Sequence, residues 1–129
     1  MEGEVFTFGK KLHLYDLRGN ELAYIEQKLL TFLPRYLIYR EGKEFAEVVK
    51  EFSFFHPEYT VNGPGWNVHG DFFDHDYEIT SGDTVVASVS KEWFTLGDAY
   101  EIAFGMGTDE IAALAVVLVI DACIEAQRN

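Results

Sequence analysis

The densest group of side chains that could do chemistry lies between residues 69 and 76. It holds two imidazoles and three carboxylates, on His69, Asp71, Asp74, His75 and Asp76. Mixed nitrogen and oxygen ligands suit zinc or manganese better than calcium. One interpretation of this stretch is therefore a divalent metal site, and with it a metal-dependent enzyme.

A structural interpretation of the same stretch competes with the metal site. Residues 71–74, Asp-Phe-Phe-Asp, are typical of a turn between two strands, in which an aspartate side chain bonds to the local backbone. Alternation along a strand would also direct His75 to the face opposite Asp74 and Asp76. The sequence leaves both interpretations open.

Basic residues that could bind a phosphate group are concentrated at the start of the chain. Residues 1–50 carry eight basic and eight acidic residues, whereas residues 51–129 carry two basic and fourteen acidic residues, for a net charge of −12. The candidate phosphate ligands are Lys10, Lys11, Arg35, Arg40 and Lys43. So acidic a chain repels nucleic acid and anionic membranes at long range. The alternative is that these bases are solvated residues of turns and sheet edges.

Motifs of known enzyme classes are absent from the sequence. It has no glycine-rich phosphate loop, no G-x-S-x-G motif and no paired cysteines. His13 and His56 are isolated, and Cys123 lies in an apolar stretch where a cysteine usually packs as a small hydrophobic residue. We therefore predict a protein without catalytic activity or a cofactor.

Short strands joined by glycine turns make up most of the chain. Stretches in which every second residue is apolar begin at Leu12, Tyr36, Tyr59, Tyr77 and Tyr100. Turns at residues 18–20, 41–43 and 81–83 each lead into a second strand. The step is 13 residues from Ala23 to Tyr36, from Ala46 to Tyr59 and from Ala87 to Tyr100. This repeat predicts an antiparallel meander of hairpins, in which His69 occupies the place that Ala46 and Ala87 fill elsewhere.

A run of ten apolar residues, 111–120, follows the strands. The β-branched residues at 116–120 favour a strand, but the alanines and the acidic pair Asp109 and Glu110 at the start favour a helix. A bilayer requires roughly 20 such residues, so the helix is too short to span a membrane. A helix that is apolar on all sides must then be enclosed by protein.

The recurring alanines explain how a sheet could enclose that helix. If Ala23, Ala46 and Ala87 face inward, they leave room that larger side chains would fill. We therefore predict one domain over residues 1–129, a closed antiparallel β-barrel with strands in residues 1–104 and a central helix at residues 108–127. Asp121 then either marks the point where the helix leaves the barrel or is buried with a partner and a raised pKa.

Several short motifs together resemble the LURP-one-related family. They are Gly63-Pro64-Gly65-Trp66, Gly70-Asp71-Phe72, His75-Asp76-Tyr77-Glu78-Ile79, Ser90-Lys91-Glu92-Trp93-Phe94 and the apolar C-terminal helix. The family is grouped with the tubby C-terminal domain and the phospholipid scramblases. The resemblance implies a closed barrel of about twelve strands threaded by the helix. It also implies recognition of phospholipid or phosphoinositide headgroups.

The start of the chain departs from the family pattern. Family members carry one more hairpin before the segment that corresponds to residues 4–12, so we expect about ten strands here. The exposed edges would then be covered by upstream residues or by a second copy of the chain. The N-terminus has no signal-peptide pattern, which predicts a cytoplasmic protein. We expect a non-catalytic binding or scaffold module for a phospholipid headgroup or a protein partner.

Overall fold

The residues that the structure describes form a single antiparallel sheet and one long helix. The computed structural model describes residues 10–51, 58–91 and 100–128. The elements are β1 (Lys11–Tyr15), β2 (Glu21–Gln27), β3 (Arg35–Arg40), β4 (Lys43–Glu51), β5 (Glu58–Asn62), β6 (Trp66–Asp71), β7 (Asp76–Ser81), β8 (Thr84–Lys91), β9 (Tyr100–Phe104) and α1 (Glu110–Arg128). Each strand pairs with the next one in the chain, so the predicted meander is confirmed.

The hairpin turns follow from residues that accept positive φ. At the β3–β4 turn, Glu41 has φ 52° and Gly42 has φ 77°. Two successive residues of positive φ are typical of a type I′ turn, whose twist matches that of the flanking strands. In β6, Gly70 has φ 139°, and a Cβ there would lie 2.6 Å from the Cα of Tyr77. Only glycine fits at that crossing of β6 and β7.

The inward face of the sheet packs on α1. Ala23, Ala46 and Ala87 are 1%, 3% and 0% exposed, and they belong to one core with Val116 and Ile120 of the helix. The predicted role of the alanines is therefore confirmed. A larger side chain at any of them would occupy the volume that the helix fills.

His69 does not take the inward place that the repeat assigns to it. Val68 is buried and His69 is exposed, across from Glu58 on the outer face. The other three hairpins contain a register shift, for example between Ile38 and Tyr39 in β3–β4, whereas the β5–β6 ladder is regular. A bulge adds one residue to a strand and so changes which residue faces inward.

The predicted closure of the barrel is not supported. Over the described residues the ladder ends at β1 on one side and β9 on the other, and the sheet is open. A sheet that surrounds a helix at roughly 10 Å from its axis has a circumference of about 63 Å. Nine strands, about 4.8 Å apart and tilted by about 40°, span only about 56 Å. The described sheet is therefore too narrow by about one strand.

One stripe of α1 is less buried than the rest of the helix. Ile111, Leu114, Leu118 and Asp121 are half-buried, while the residues between them are buried. Their spacing of three or four residues places them along one stripe of the helix. The prediction of a helix enclosed on every side is therefore confirmed only for its buried faces.

The helix begins at Glu110, two residues later than predicted. The side chain of Asp109 accepts a hydrogen bond from the amide of Ala112 at 3.2 Å, and its carbonyl accepts one from Ala113 at 3.0 Å. Asp109 is thus the N-cap. The strand alternative for residues 116–120 is wrong, because these residues are helical. Within the described residues, no helix is long and apolar enough to cross a membrane.

Asp121 does not mark an exit from the sheet. Ala122, Cys123 and Ile124 are buried after it, and exposure begins at Glu125. The Oδ1 atom of Asp121 is buried without a hydrogen-bond partner in the described part of the chain.

Three predicted segments lie outside the described residues. They are the strand over residues 4–9, the connection over residues 52–57, which includes His56, and the connection over residues 92–97.

Candidate functional site

The predicted metal ligands do not converge in the structure. His75 is 3% exposed and faces the core, whereas the side chains of His69, Asp71, Asp74 and Asp76 are exposed. The amide of Asp74 donates a hydrogen bond to Asp71 Oδ1 at 3.2 Å, as expected of a turn. Among the residues that the structure describes, no three His, Cys, Asp or Glu side chains form a group that could hold a metal ion.

The predicted phosphate ligands are spread over separate places. Arg35 and Arg40 are the two ends of β3 and lie about 16 Å apart, at about 3.3 Å per residue. Arg35 Nη1 lies 3.3 Å from Glu47 Oε1, and Arg40 Nη1 lies 2.6 Å from Asp109 Oδ2. Both guanidinium groups already pair with a carboxylate of the same chain.

The three lysines of that set are exposed at other positions. Lys11 is the first residue of β1 and Lys10 precedes it, whereas Lys43 is the first residue of β4 and lies directly across from Arg40 in the ladder. Lys28, which was not in the set, lies 3.6 Å from Glu47. A single phosphate group could not contact the whole predicted set, because its members occupy opposite ends of the strands.

A row of aromatic side chains crosses the outer face of the first three strands. His13 pairs with Tyr24 across β1 and β2, and Tyr24 pairs with Tyr39 across β2 and β3. The ring centroids of these pairs are 4.9 and 5.8 Å apart. Tyr15 continues the row, because its ring lies 5.8 Å from that of His13 at an interplanar angle of 11°. We call Tyr15, His13, Tyr24 and Tyr39 the aromatic row.

Carboxylates flank the aromatic row and complete a groove. Its volume is about 430 Å³, and its lining residues are His13, Glu21, Tyr24, Glu26, Tyr39 and Gly42. Glu21 Oε2 lies 2.5 Å from His13 Nδ1. Desolvation, together with the nearby Glu26 carboxylate, raises the pKa of the Tyr24 phenol. The aromatic groove therefore combines ring faces, a phenol that stays protonated and acidic side chains.

The only cysteine is held in the core by two tyrosines. Burial raises the pKa of the Cys123 thiol, although hydrogen bonds with Tyr59 and Tyr36 act in the opposite direction. Burial beside this thiol also raises the pKa of both phenols. A thiol that stays protonated and buried is a poor nucleophile, so the predicted packing role of Cys123 is confirmed by its position.

Sequence reasoning missed the aromatic groove because it treated His13 as isolated. A signal was available in the strand period. In β2, Ala23 and Ile25 face the core, so Tyr24 and Glu26 must face outward. The outward positions of a strand are usually polar, so rings at such positions on three adjacent strands indicate an interaction surface.

The fold and the position of the candidate site define the class of this protein. It is a strand-rich domain in which one antiparallel meander folds around an apolar C-terminal helix and presents its candidate site on the outer face. The model of the LURP-one-related family matches residues 1–121, and the chain belongs to that family, as its motifs suggested.

A relative of this chain comes from a bacterium. The chain is 36% identical over 121 residues to the uncharacterized protein YxjI of Bacillus subtilis strain 168. The matched region covers 94% of this chain and 75% of that protein. No solved structure matches the chain. Both matches support membership of the family, and neither identifies a ligand.

Proposed function

We propose that this protein is a non-catalytic binding module of the cytoplasm that holds a protein partner in the aromatic groove. The observation that carries the proposal is the row of rings on the outer face of β1, β2 and β3. Tyrosine is enriched at protein interfaces and is frequent among the residues that dominate binding energy. The groove of about 430 Å³ is large enough for the side chains of a partner.

A protein partner fits the surface better than a phospholipid headgroup does. A phosphate group would have to compete with Glu47 for Arg35 and with Asp109 for Arg40. The net charge of −12 would also repel an anionic membrane. The exposed lysines Lys10, Lys11 and Lys43 are the remaining candidates for a headgroup, and they do not border one common cavity lined by rings.

Comparative purification from the native host tests the proposal. The wild-type protein is compared with a Tyr24→Ser/Tyr39→Ser variant, and bound proteins are quantified by mass spectrometry. Phe73→Ser is the control, because this ring is exposed and does not line the groove. We expect a partner that the double variant loses and the control retains. The same set of bound proteins with all three chains would contradict the proposal.

Vesicle co-sedimentation tests the headgroup alternative directly. The wild-type protein is mixed at low salt with phosphatidylcholine vesicles that do or do not contain phosphoinositide. We expect no sedimentation that depends on the phosphoinositide. Sedimentation that a Lys10→Gln/Lys11→Gln variant abolishes and Tyr24→Ser leaves unchanged would favour the lipid headgroup over the protein partner.

A further inference from the structure

We infer that the aromatic groove recognises an arginine-bearing, extended segment of the partner protein. The inference rests on the proposed function and adds the chemistry of the occupant. A guanidinium group is planar, carries a permanent charge, stacks on aromatic rings and bonds to carboxylates in pairs of hydrogen bonds. The groove offers ring faces together with the carboxylate of Glu26 and that of Glu21, which would exchange its contact with His13 for the guanidinium group.

The positions of the carboxylates favour a segment of chain over a small cation. Glu21 is the first residue of β2 and Glu26 the last but one, so their Cα atoms lie about 17 Å apart at about 3.4 Å per residue. Both line the groove, Tyr24 lies between them along β2, and the Tyr39 ring centroid lies 5.8 Å from that of Tyr24. An extended peptide of about five residues covers this distance. A cation with one charge would reach one carboxylate at a time.

The molecule already contains the arrangement that we infer for the groove. Arg40 Cζ lies 5.2 Å from the ring centroid of Phe45, while Arg40 Nη1 lies 2.6 Å from Asp109 Oδ2. A ring face and a carboxylate thus hold one guanidinium group within this chain. In the groove, the His13 imidazole similarly contacts the rings of Tyr15 and Tyr24 and the carboxylate of Glu21. A guanidinium group of the partner would make contacts of the same kind, with ring faces and a carboxylate.

Local charge also favours a basic occupant. The groove is lined by the carboxylates of Glu21 and Glu26, which attract a cationic segment, although the excess of acidic residues lies in residues 51–129. Lys11 lies directly across from Glu26 in the β1–β2 ladder and opposes a cation at that end. Arginine should bind better than lysine, because the ammonium group of lysine is compact, strongly hydrated and unable to stack as a plane.

Fluorescence anisotropy with defined peptides tests the inference. The probe is a fluorescein-labelled nine-residue glycine-serine peptide that carries two arginines five positions apart. The comparison probes are the same peptide with two lysines and free arginine amide as a competitor. We expect the arginine peptide to bind at least fivefold more tightly than the lysine peptide. We also expect arginine amide to compete only at concentrations at least a hundredfold above the dissociation constant of the peptide.

Variants of the groove separate specific binding from general attraction. Tyr24→Ser should weaken binding at least tenfold, whereas Tyr24→Phe, which keeps the ring face, should stay within about threefold of the wild type. Glu26→Gln should weaken binding several-fold, and Lys11→Gln should strengthen it. Glu78→Gln is the control of matched charge, since Glu78 is exposed on β7 away from the groove. It should leave binding unchanged.

Four results would overturn the inference. Equal affinity for the arginine and lysine peptides, with no effect of Tyr24→Ser, would show attraction by net charge alone. Equal losses with Glu26→Gln and Glu78→Gln would show the same. Competition by arginine amide near the dissociation constant of the peptide would indicate a small-molecule site. If the arginine peptide fails to bind but co-purification still depends on Tyr24 and Tyr39, the occupant is wrong while the proposed function stands.

Discussion

An ion pair between Arg40 and Asp109 connects the end of β3 to the N-terminus of α1. Arg40 Nη1 lies 2.6 Å from Asp109 Oδ2, while the other carboxylate oxygen, Oδ1, accepts the hydrogen bond from the amide of Ala112 at 3.2 Å. One carboxylate therefore caps the helix and pairs with a base from the sheet. This relationship explains why an arginine that looked like a phosphate ligand has a structural role.

The N-cap should contribute more to stability than the ion pair. We expect Asp109→Ala to lower the free energy of unfolding by about 1 to 2 kcal/mol, because the first-turn amides lose their acceptor. Asp109→Asn keeps a capping oxygen and loses only a partly exposed ion pair, which is worth less than about 1 kcal/mol. Urea denaturation followed by circular dichroism measures both. Equal losses in the two variants would assign the stability to the ion pair.

The inward alanines should not tolerate larger side chains. Ala87 is fully buried against the core that includes α1, so Ala87→Leu should destabilise the fold by about 1 to 3 kcal/mol through overpacking. Val85→Ala on the same strand is the control, since Val85 is 40% exposed, and it should cost less than about 1 kcal/mol. Thermal denaturation compares the two. A wild-type stability for Ala87→Leu would show that α1 does not fill this space.

The thiol of Cys123 should be protected in the folded protein. Its side chain is buried and its pKa is raised by burial, so few molecules carry the reactive thiolate at neutral pH. We expect labelling by an aromatic disulfide reagent at pH 8 to be at least a hundredfold slower in buffer than in 6 M urea. The free thiol of glutathione serves as the reference. Rapid labelling under native conditions would show that the core around α1 opens readily.

Alkaline pH should destabilise the protein through Tyr36 and Tyr59. Burial raises the pKa of both phenols in the fold above the ordinary value of 10. Their contribution to stability is therefore fully present below pH 10 and is lost as the pH rises toward the folded values. Each group lowers the free energy of unfolding by about 1.4 kcal/mol per pH unit in that range.

Substitution of one phenol isolates its effect. Urea titrations at pH 9, 10, 11 and 11.5 should show a slope that is shallower by about 1.4 kcal/mol per pH unit in Tyr59→Phe than in the wild-type protein. Tyr15→Phe is the control, since Tyr15 is 55% exposed. Identical slopes in the wild-type protein and Tyr59→Phe would mean that this phenol ionises without unfolding the protein.

The pattern of residues alone predicted the hairpins and the inward alanines. These features depend on local rules: the period of two along a strand, the glycine turns, and the small side chains beside an apolar helix. The turns at Gly19, Gly42 and Gly82 have positive φ, as such turns require. Each of these conclusions needs only residues near one another in the chain.

Pairing between strands determined which residues face the core and where the sheet ends, which the local rules could not predict. The register shift in three hairpins and its absence from β5–β6 determine that Val68, and not His69, faces the core. The sequence repeat cannot reveal this difference, because a bulge depends on how two strands twist together. The open edge between β1 and β9 likewise depends on the total width of the sheet relative to the helix.

The sequence by itself determined which residues could act, and the tertiary structure determined which of them meet. The order of residues identified the helix, the strands and the candidate ligands, because backbone periodicity acts over a few residues. It separated Arg40 from Asp109 by 69 positions, and only the fold placed them 2.6 Å apart. In the sequence His13, Tyr24 and Tyr39 belong to three separate strands. The antiparallel register of these strands places the three side chains side by side on one surface. Long-range contacts depend on the whole sheet, so they are decided only when every strand is paired.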